Sequence, residues 1–178
     1  LARKDKEDSL EVDIAVPIPD SGKGYAEAYA LEYGCHHSEP LIKWPWAGRS
    51  YDRPKQGQRD LVARIKMNVV PDRIRGKRAV VCDDSTRRGT QAVKESGPIA
   101  LLRNAGAKEI HLRIGSPKNR VYCRCSPHEG KGYNDEELAA NRFPDEEKLA
   151  QYLKVDSARF IEIDDFVKCI TEGSILPA

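Results

Sequence analysis

A short apolar run that ends in two adjacent acids is the feature that most constrains the fold of this chain. The run from Ala79 to Cys82 predicts a buried strand, and Asp83 and Asp84 follow it directly. A turn of small and basic residues comes next and leads into a helical pattern from Thr90. A strand that passes through a turn into a helix is the repeating unit of α/β folds. A helix that starts there offers free N–H groups and the positive end of its dipole to a phosphate.

The rest of the chain alternates between strand and helix patterns. Strands are predicted over 12–18, 41–42, 77–83, 110–114 and 159–163, and helices over 24–33, 61–67, 90–105, 136–140, 145–153 and 164–170. The pair Gly97-Pro98 should break or kink the third of these helices. We predict an α/β fold with a mostly parallel sheet and helices on both faces. Ligands of such sheets collect at the carboxyl ends of the strands.

Composition narrows the class of protein. With 178 residues and 39% hydrophobic content, one compact domain is expected. Charged residues make up 33% of the chain, but their signs nearly cancel to a net charge of +2. We therefore expect no nucleic-acid partner and no membrane partner. The five cysteines are an odd number in a chain of this size, which favours reduced thiols and a cytoplasmic location.

The turn after the acid pair has the chemistry of a ribose 5-phosphate site. Asp83 and Asp84 can accept hydrogen bonds from vicinal hydroxyls, or hold a Mg²⁺ through water. Gly89 lets the backbone approach a phosphate closely. The hydroxyl donors of the turn are Ser85, Thr86 and Thr90. The alternative is that the acids only cap the helix and that Arg88 is a solvated surface charge.

The full string from Asp83 to Thr90 resembles the phosphoribosyl pyrophosphate (PRPP) loop of the type I phosphoribosyltransferases. The resemblance implies a type I phosphoribosyltransferase fold. It also implies that Asp83 and Asp84 hold the ribose hydroxyls. The residues that it assigns to the 5-phosphate are Ser85, Thr86, Arg87, Arg88, Gly89 and Thr90.

Further blocks resemble one branch of that family, the glutamine PRPP amidotransferases. These blocks keep their order along the chain: 14–28, 41–43 with 48–50, 103–111, 116–117 with Cys123, and 156–166. Members make 5-phosphoribosylamine from PRPP and ammonia, the opening step of purine synthesis. The resemblance therefore implies an enzyme, a pentosyltransferase that uses ammonia in this chain.

The resemblance also implies individual roles. Ser21 meets the pyrophosphate and its Mg²⁺, and the acid pair completes the metal contacts. Lys43 and Arg49 lie in the loop that members use to cover the pyrophosphate, and they are the candidate catalytic cations. Cations at this position would stabilise the leaving pyrophosphate.

The chain departs from the family pattern at its start. Members carry an N-terminal glutaminase domain with a cysteine nucleophile, whereas the first cysteine here is Cys35. We expect a single phosphoribosyltransferase domain over 1–178, with 116–178 a less regular C-terminal extension and the glutaminase domain absent. Ammonia would then come from a glutaminase domain or subunit. Purine nucleotides would be possible feedback ligands, and a homo-oligomer is expected.

Two other functions stay open at this stage. A nucleobase could replace ammonia as the acceptor, or the chain could be a PRPP-binding regulator of purine genes without catalysis. Cys123 falls where some amidotransferases have one ligand of an iron–sulfur cluster. The other ligands of those proteins lie outside this segment, so Mg²⁺ is expected as cofactor and an iron–sulfur cluster is not.

Overall fold

The computed structural model describes residues 1–44, 67–86, 89, 94–122 and 134–171. Its strands are β1 Ile14–Pro17, β2 His36–His37, β3 Leu41–Lys43, β4 Met67–Val69, β5 Arg78–Asp83, β6 Glu109–Ile114 and β7 Ser157–Phe160. Five of them form one sheet in the order β2-β1-β5-β6-β7, and every neighbouring pair in it is parallel. The predicted α/β fold with a mostly parallel sheet is confirmed.

The helices cover both faces of this sheet. They are α1 Ala2–Glu7, α2 Lys23–Tyr33, α3 Pro98–Asn104, α4 Ala139–Arg142, α5 Glu146–Leu153 and α6 Ile163–Thr171. Residues of α3, α4 and α5 contribute to the core on one face, and residues of α1 and α2 contribute to the core on the other. No helix among the described residues is long and apolar enough to cross a membrane.

Strand β5 shows why the sheet forms where it does. Its side chains alternate between the two cores: Ala79 and Val81 point to one face, and Val80 and Cys82 point to the other. All four are buried, as expected for a central strand of a sheet that is covered on both sides.

Three sequence predictions need correction. The strand at 41–42 exists, but it pairs antiparallel with β4 in a separate two-stranded sheet. Met67 begins that partner strand rather than ending a helix, while 61–66 lie outside the described residues. Within the predicted helix over 90–105, residues 94–97 form a turn and the helix begins at Pro98. Proline has a fixed φ and no N–H to donate, so it suits the first helical position and starts this helix instead of kinking it.

Helix α1 was not predicted, and a buried carboxylate ties it to the sheet. The Asp5 side chain is only 1% exposed and accepts hydrogen bonds from Arg113 of β6, Arg159 of β7 and Tyr29 of α2. Four donor atoms surround its two oxygens, so the buried charge is paired and hydrogen-bonded. The short helix is thereby fixed against the face opposite α3 and α5.

Candidate functional site

The acid pair lies at the carboxyl edge of the sheet, on its central strand. Asp83 is the last residue of β5, in register with Ile114 of β6. One carboxylate oxygen of Asp83 accepts a hydrogen bond from the N–H of Asp84 at 2.9 Å, and Asp84 accepts one from the N–H of Ser85 at 2.8 Å. Both acids are partly exposed, so their free oxygen lone pairs can meet a ligand.

The turn after β1 packs directly against the end of β5. The N–H of Ile18 donates to the carbonyl oxygen of Cys82 at 2.9 Å, and the N–H of Gly22 donates back to Ile18 at 2.9 Å. A Cβ on Gly22 would lie 2.2 Å from the same Cys82 carbonyl oxygen, so only glycine permits this approach. The Pro19–Asp20 peptide bond in the turn is cis.

This packing brings Ser21 to the acid pair. Its hydroxyl donates to the Asp83 carboxylate at 3.3 Å, across 62 positions of sequence. Two of the residues that the resemblance assigned to one site are therefore in contact. Sequence order alone does not bring them together; the parallel pairing of β1 with β5 does.

Lys43, in the two-stranded sheet, contacts the same turn. It is the last residue of β3, and its Nζ lies 2.6 Å from a carboxylate oxygen of Asp20. This hydrogen bond lowers the pKa of Asp20 below its ordinary value, and the Lys43 charge acts in the same direction. The turn after β1 therefore contacts the Lys43 ammonium through Asp20 and the Asp83 carboxylate through Ser21.

The electrostatics of Asp83 differ from those of Asp20. Burial, together with the neighbouring Asp84 side chain, raises the pKa of Asp83 to about 7. Within the part of the chain that the structure describes, no lysine or arginine forms an ion pair with Asp83 or Asp84. Two carboxylates without a cationic partner among the described residues are suited to an external cation or to hydroxyl donors.

The phosphate side of the predicted site is only partly described. Ser85 and Thr86 follow the acids outside any helix or strand, and Gly89 has a φ of +70°. A Cβ on Gly89 would lie 2.9 Å from Leu153 of α5, so the loop packs tightly on that helix. Five of the predicted site residues lie outside the described residues: Arg49, Arg87, Arg88, Thr90 and Cys123.

Two neighbours of the site were not assigned a role from the sequence. Asp20 contacts Lys43, yet the two are 23 positions apart, one in the turn after β1 and the other in β3 of the small sheet, so no local pattern pairs them. Tyr25 lies over Gly115, where a Cβ would be 2.0 Å from its ring. Gly115 in turn donates its N–H to the Asp83 carbonyl oxygen at 2.9 Å, so this exposed ring borders the acid pair.

Known sequences resemble this chain over nearly its whole length. The amidophosphoribosyltransferase of Methanocaldococcus jannaschii is 36% identical over 165 residues, which cover 93% of this chain and 34% of that protein. The human amidophosphoribosyltransferase is 34% identical over 167 residues, covering 92% and 30%. The chain thus spans about a third of the length of these relatives. A scan against family models gives no match.

Solved structures agree with the sequence comparison. The glutamine PRPP amidotransferase from B. subtilis, solved with ADP and GMP, superposes with a TM-score of 0.76 at 31% identity, covering 97% of this chain and 38% of that one. A structure described as the allosteric regulatory enzyme of purine biosynthesis superposes with a TM-score of 0.74 at 29% identity, covering 95% and 35%. Sequence and fold lead to one conclusion: over nearly all of its 178 residues, this chain is similar to one part of the amidophosphoribosyltransferases and shares its fold.

Proposed function

We propose that this chain binds PRPP with Mg²⁺ and transfers the phosphoribosyl group to ammonia, forming 5-phosphoribosylamine and pyrophosphate in purine biosynthesis. The observation that carries the proposal is the hydrogen bond of Ser21 to Asp83, the first member of the acid pair at the carboxyl edge of the sheet. The relatives are amidophosphoribosyltransferases, and the matches to two of them cover 92–93% of this chain.

The acids would hold the ribose of PRPP. Ionised carboxylate oxygens accept hydrogen bonds, and the two vicinal hydroxyls of a ribose can donate them. The N–H groups and hydroxyls of Ser85 and Thr86 would begin the 5-phosphate contacts. Gly89 and the undescribed residues Arg87, Arg88 and Thr90 would complete them.

The residues present fit a magnesium ion. The described residues hold no group of three or more His, Cys, Asp or Glu that could cage a metal by themselves. Two adjacent carboxylates and the Ser21 hydroxyl nevertheless supply hard oxygen donors, and Mg²⁺ is usually held by one or two carboxylates together with substrate phosphates and water. When bound with PRPP, Mg²⁺ would neutralise charge on the pyrophosphate.

The protein cations would act at the other end of the reacting bond. Ammonia attacks the anomeric carbon, a C–N bond forms, and the C–O bond to pyrophosphate breaks with its electron pair leaving on oxygen. Lys43, and Arg49 from the undescribed segment, would stabilise the negative charge that grows on that oxygen. Ammonia is a neutral nucleophile, so the extra proton on nitrogen can pass to solvent without a dedicated base.

Several aspects of the whole protein belong to the same proposal. The 178 residues would form one phosphoribosyltransferase domain that receives ammonia from a glutaminase domain or subunit. Purine nucleotides would act as feedback ligands, a proposal supported by the ADP and GMP named for the B. subtilis structure. We further propose a cytoplasmic homo-oligomer.

The test is a pyrophosphate-release assay with PRPP and Mg²⁺. We expect release that depends on ammonium and no release that depends on adenine, guanine or hypoxanthine. Base-dependent release with formation of a nucleotide would instead make the protein a nucleobase phosphoribosyltransferase. PRPP binding without turnover on any acceptor would identify a non-catalytic regulator.

A further inference from the structure

The ion pair between Asp20 and Lys43 joins the small sheet to the carboxyl edge of the main sheet. We propose that Asp20 is a positioning residue, which holds the Lys43 ammonium where the pyrophosphate group of the substrate binds. This inference rests on the proposed function and adds to it a residue that the sequence did not single out.

The contacts form a continuous path. The Lys43 Nζ lies 2.6 Å from Asp20, the next residue is Ser21, and the Ser21 hydroxyl lies 3.3 Å from the Asp83 carboxylate. A ligand that spans the acid pair and the ammonium would therefore lie along this one turn. The turn is held against β5, because Gly22 packs closely on the Cys82 carbonyl group.

Lys43 needs a partner that fixes its head group, because its strand is not part of the main sheet. Strand β3 pairs only with β4 in the described structure, so no backbone ladder joins it to the main sheet. A lysine side chain has a flexible four-carbon stem and loses much rotamer freedom when its head group is fixed. The Asp20 carboxylate fixes the head group before a ligand arrives, which reduces the ordering cost at the moment of binding.

The pairing leaves the cation able to act. An ammonium group has three donors, and the contact with Asp20 uses one of them. With respect to the described residues, two donors remain for phosphate oxygens. The Lys43 side chain is 33% exposed and that of Asp20 is 68% exposed, so an anion can reach the pair from solvent.

Asp20 can affect anion binding in two opposite ways, by positioning the Lys43 ammonium or by competing with the anion for it, and an experiment distinguishes them. A carboxylate beside the ammonium could compete with the incoming anion, in which case its removal would strengthen binding. Positioning predicts the reverse sign. A second feature distinguishes positioning from a general structural role: the effect of Asp20 must vanish when Lys43 is absent.

The experiment is a double-mutant cycle with Asp20→Asn, Lys43→Met and the double variant. Two quantities are measured for each protein: kcat/KM for PRPP with ammonium, and the calorimetric affinity for inorganic pyrophosphate with Mg²⁺. Glu39→Gln is the matched control, because Glu39 forms an exposed ion pair with Lys23 at 3.0 Å in the segment just before β3. We expect Asp20→Asn to lower kcat/KM about tenfold and Lys43→Met about 10²-fold. The double variant should match Lys43→Met alone, and Glu39→Gln should match the parent.

Two results would overturn the inference. Equal losses from Asp20→Asn with and without Lys43 would show that Asp20 acts independently of the ammonium. Higher affinity or turnover in Asp20→Asn would show competition instead. A parent protein without any ammonium-dependent turnover would refute the proposed function only. The pyrophosphate affinities of the same four proteins would then still decide whether Asp20 positions Lys43.

Discussion

The buried Asp5 carboxylate offers a stability test whose size can be worked out from its contacts. Its oxygens accept hydrogen bonds from Arg113 Nε at 2.7 Å and Nη2 at 2.8 Å, from Arg159 Nη1 at 2.9 Å and from the Tyr29 hydroxyl at 2.7 Å. In Asp5→Asn, an amide NH₂ would replace one acceptor oxygen and face donors. The Arg113 side chain, 3% exposed, would keep its charge without a full partner.

Breaking a buried ion pair from one side costs about 3–5 kcal/mol, against about 5–15 kcal/mol for the unfolding of a typical domain. We therefore expect Asp5→Asn to lower the free energy of unfolding by about that amount, measured by urea denaturation at pH 7. Asp8→Asn is the control. Asp8 also pairs with Arg159, at 2.6 Å, but its side chain is 57% exposed, so its removal should cost no more than about 1 kcal/mol.

Acid provides an independent check on the same carboxylate. Burial alone would raise the pKa of Asp5, but the hydrogen bond and charge of Arg113, with the Tyr29 hydroxyl, outweigh it and hold the pKa below its ordinary value. The stabilising effect is therefore fully present above about pH 4 and is lost as the pH falls through the lower folded-state pKa. The difference between parent and Asp5→Asn should shrink in that range. Equal stabilities of the two proteins at pH 7 would refute this reasoning.

The remaining predictions concern other parts of the sheet and the site. Gly22→Ala should destabilise the protein by about 1–3 kcal/mol in urea denaturation, because its Cβ has no room, whereas Gly24→Ala, where nothing lies within 4 Å, should not. Burial lowers the pKa of His111, so the folded state favours its neutral form. This contribution to the free energy of unfolding is fully present above about pH 6.5 and is lost as the pH falls. The free energy of unfolding of His111→Gln should therefore fall less between pH 7 and pH 5 than that of the parent. Burial raises the pKa of Cys82 to about 12, so a thiol reagent should label it only after unfolding, as peptide mass spectrometry would show. Arg49→Ala should lower kcat and kcat/KM together by about 10²-fold while PRPP affinity without acceptor changes far less; an equal loss of affinity would make Arg49 a ground-state anchor.

Strands β1 and β5 were predictable from their short apolar runs, and β6 was predictable because apolar and polar residues alternate along it. The segments predicted at 12–18, 77–83 and 110–114 correspond to these three strands, with ends shifted by one or two residues. Helix α2 was predictable from its end, since Gly34 adopts a φ of +83°, which glycine tolerates best. These features are local, so the sequence carries them directly.

Other elements depend on contacts that no local pattern contains. Helix α1 buries only Ala2 and Asp5, and its attachment relies on arginines more than a hundred positions away. Strand β4 exists through its pairing with β3, and its three residues have no distinctive periodicity. In the sequence Pro98 lies within a longer helical pattern, whereas in the structure it is the first residue of α3, a position that suits its fixed φ and missing N–H.

The residues of the site also differ in whether a local pattern or a long-range contact places them. The acid pair was predictable because Asp83 and Asp84 follow a strand within one continuous motif. The position of Ser21 beside them depends on β1 and β5 being neighbours in the sheet. The Asp20–Lys43 pair joins two separate sheets and could only be found in three dimensions.

The acid pair is the centre of the proposed PRPP site, and calorimetric titration of PRPP in the presence of Mg²⁺ tests this assignment directly. The parent should bind, and Asp83→Asn with Asp84→Asn should weaken binding by about 10²-fold or more, since two hydrogen-bonding charges are removed. Asp13→Asn is the matched control, because Asp13 pairs with Arg78 at 2.9 Å at the opposite end of β5, and it should bind PRPP like the parent. If the double variant bound PRPP as tightly as the parent, the acids would be no more than caps of the loop and the proposed site would be wrong.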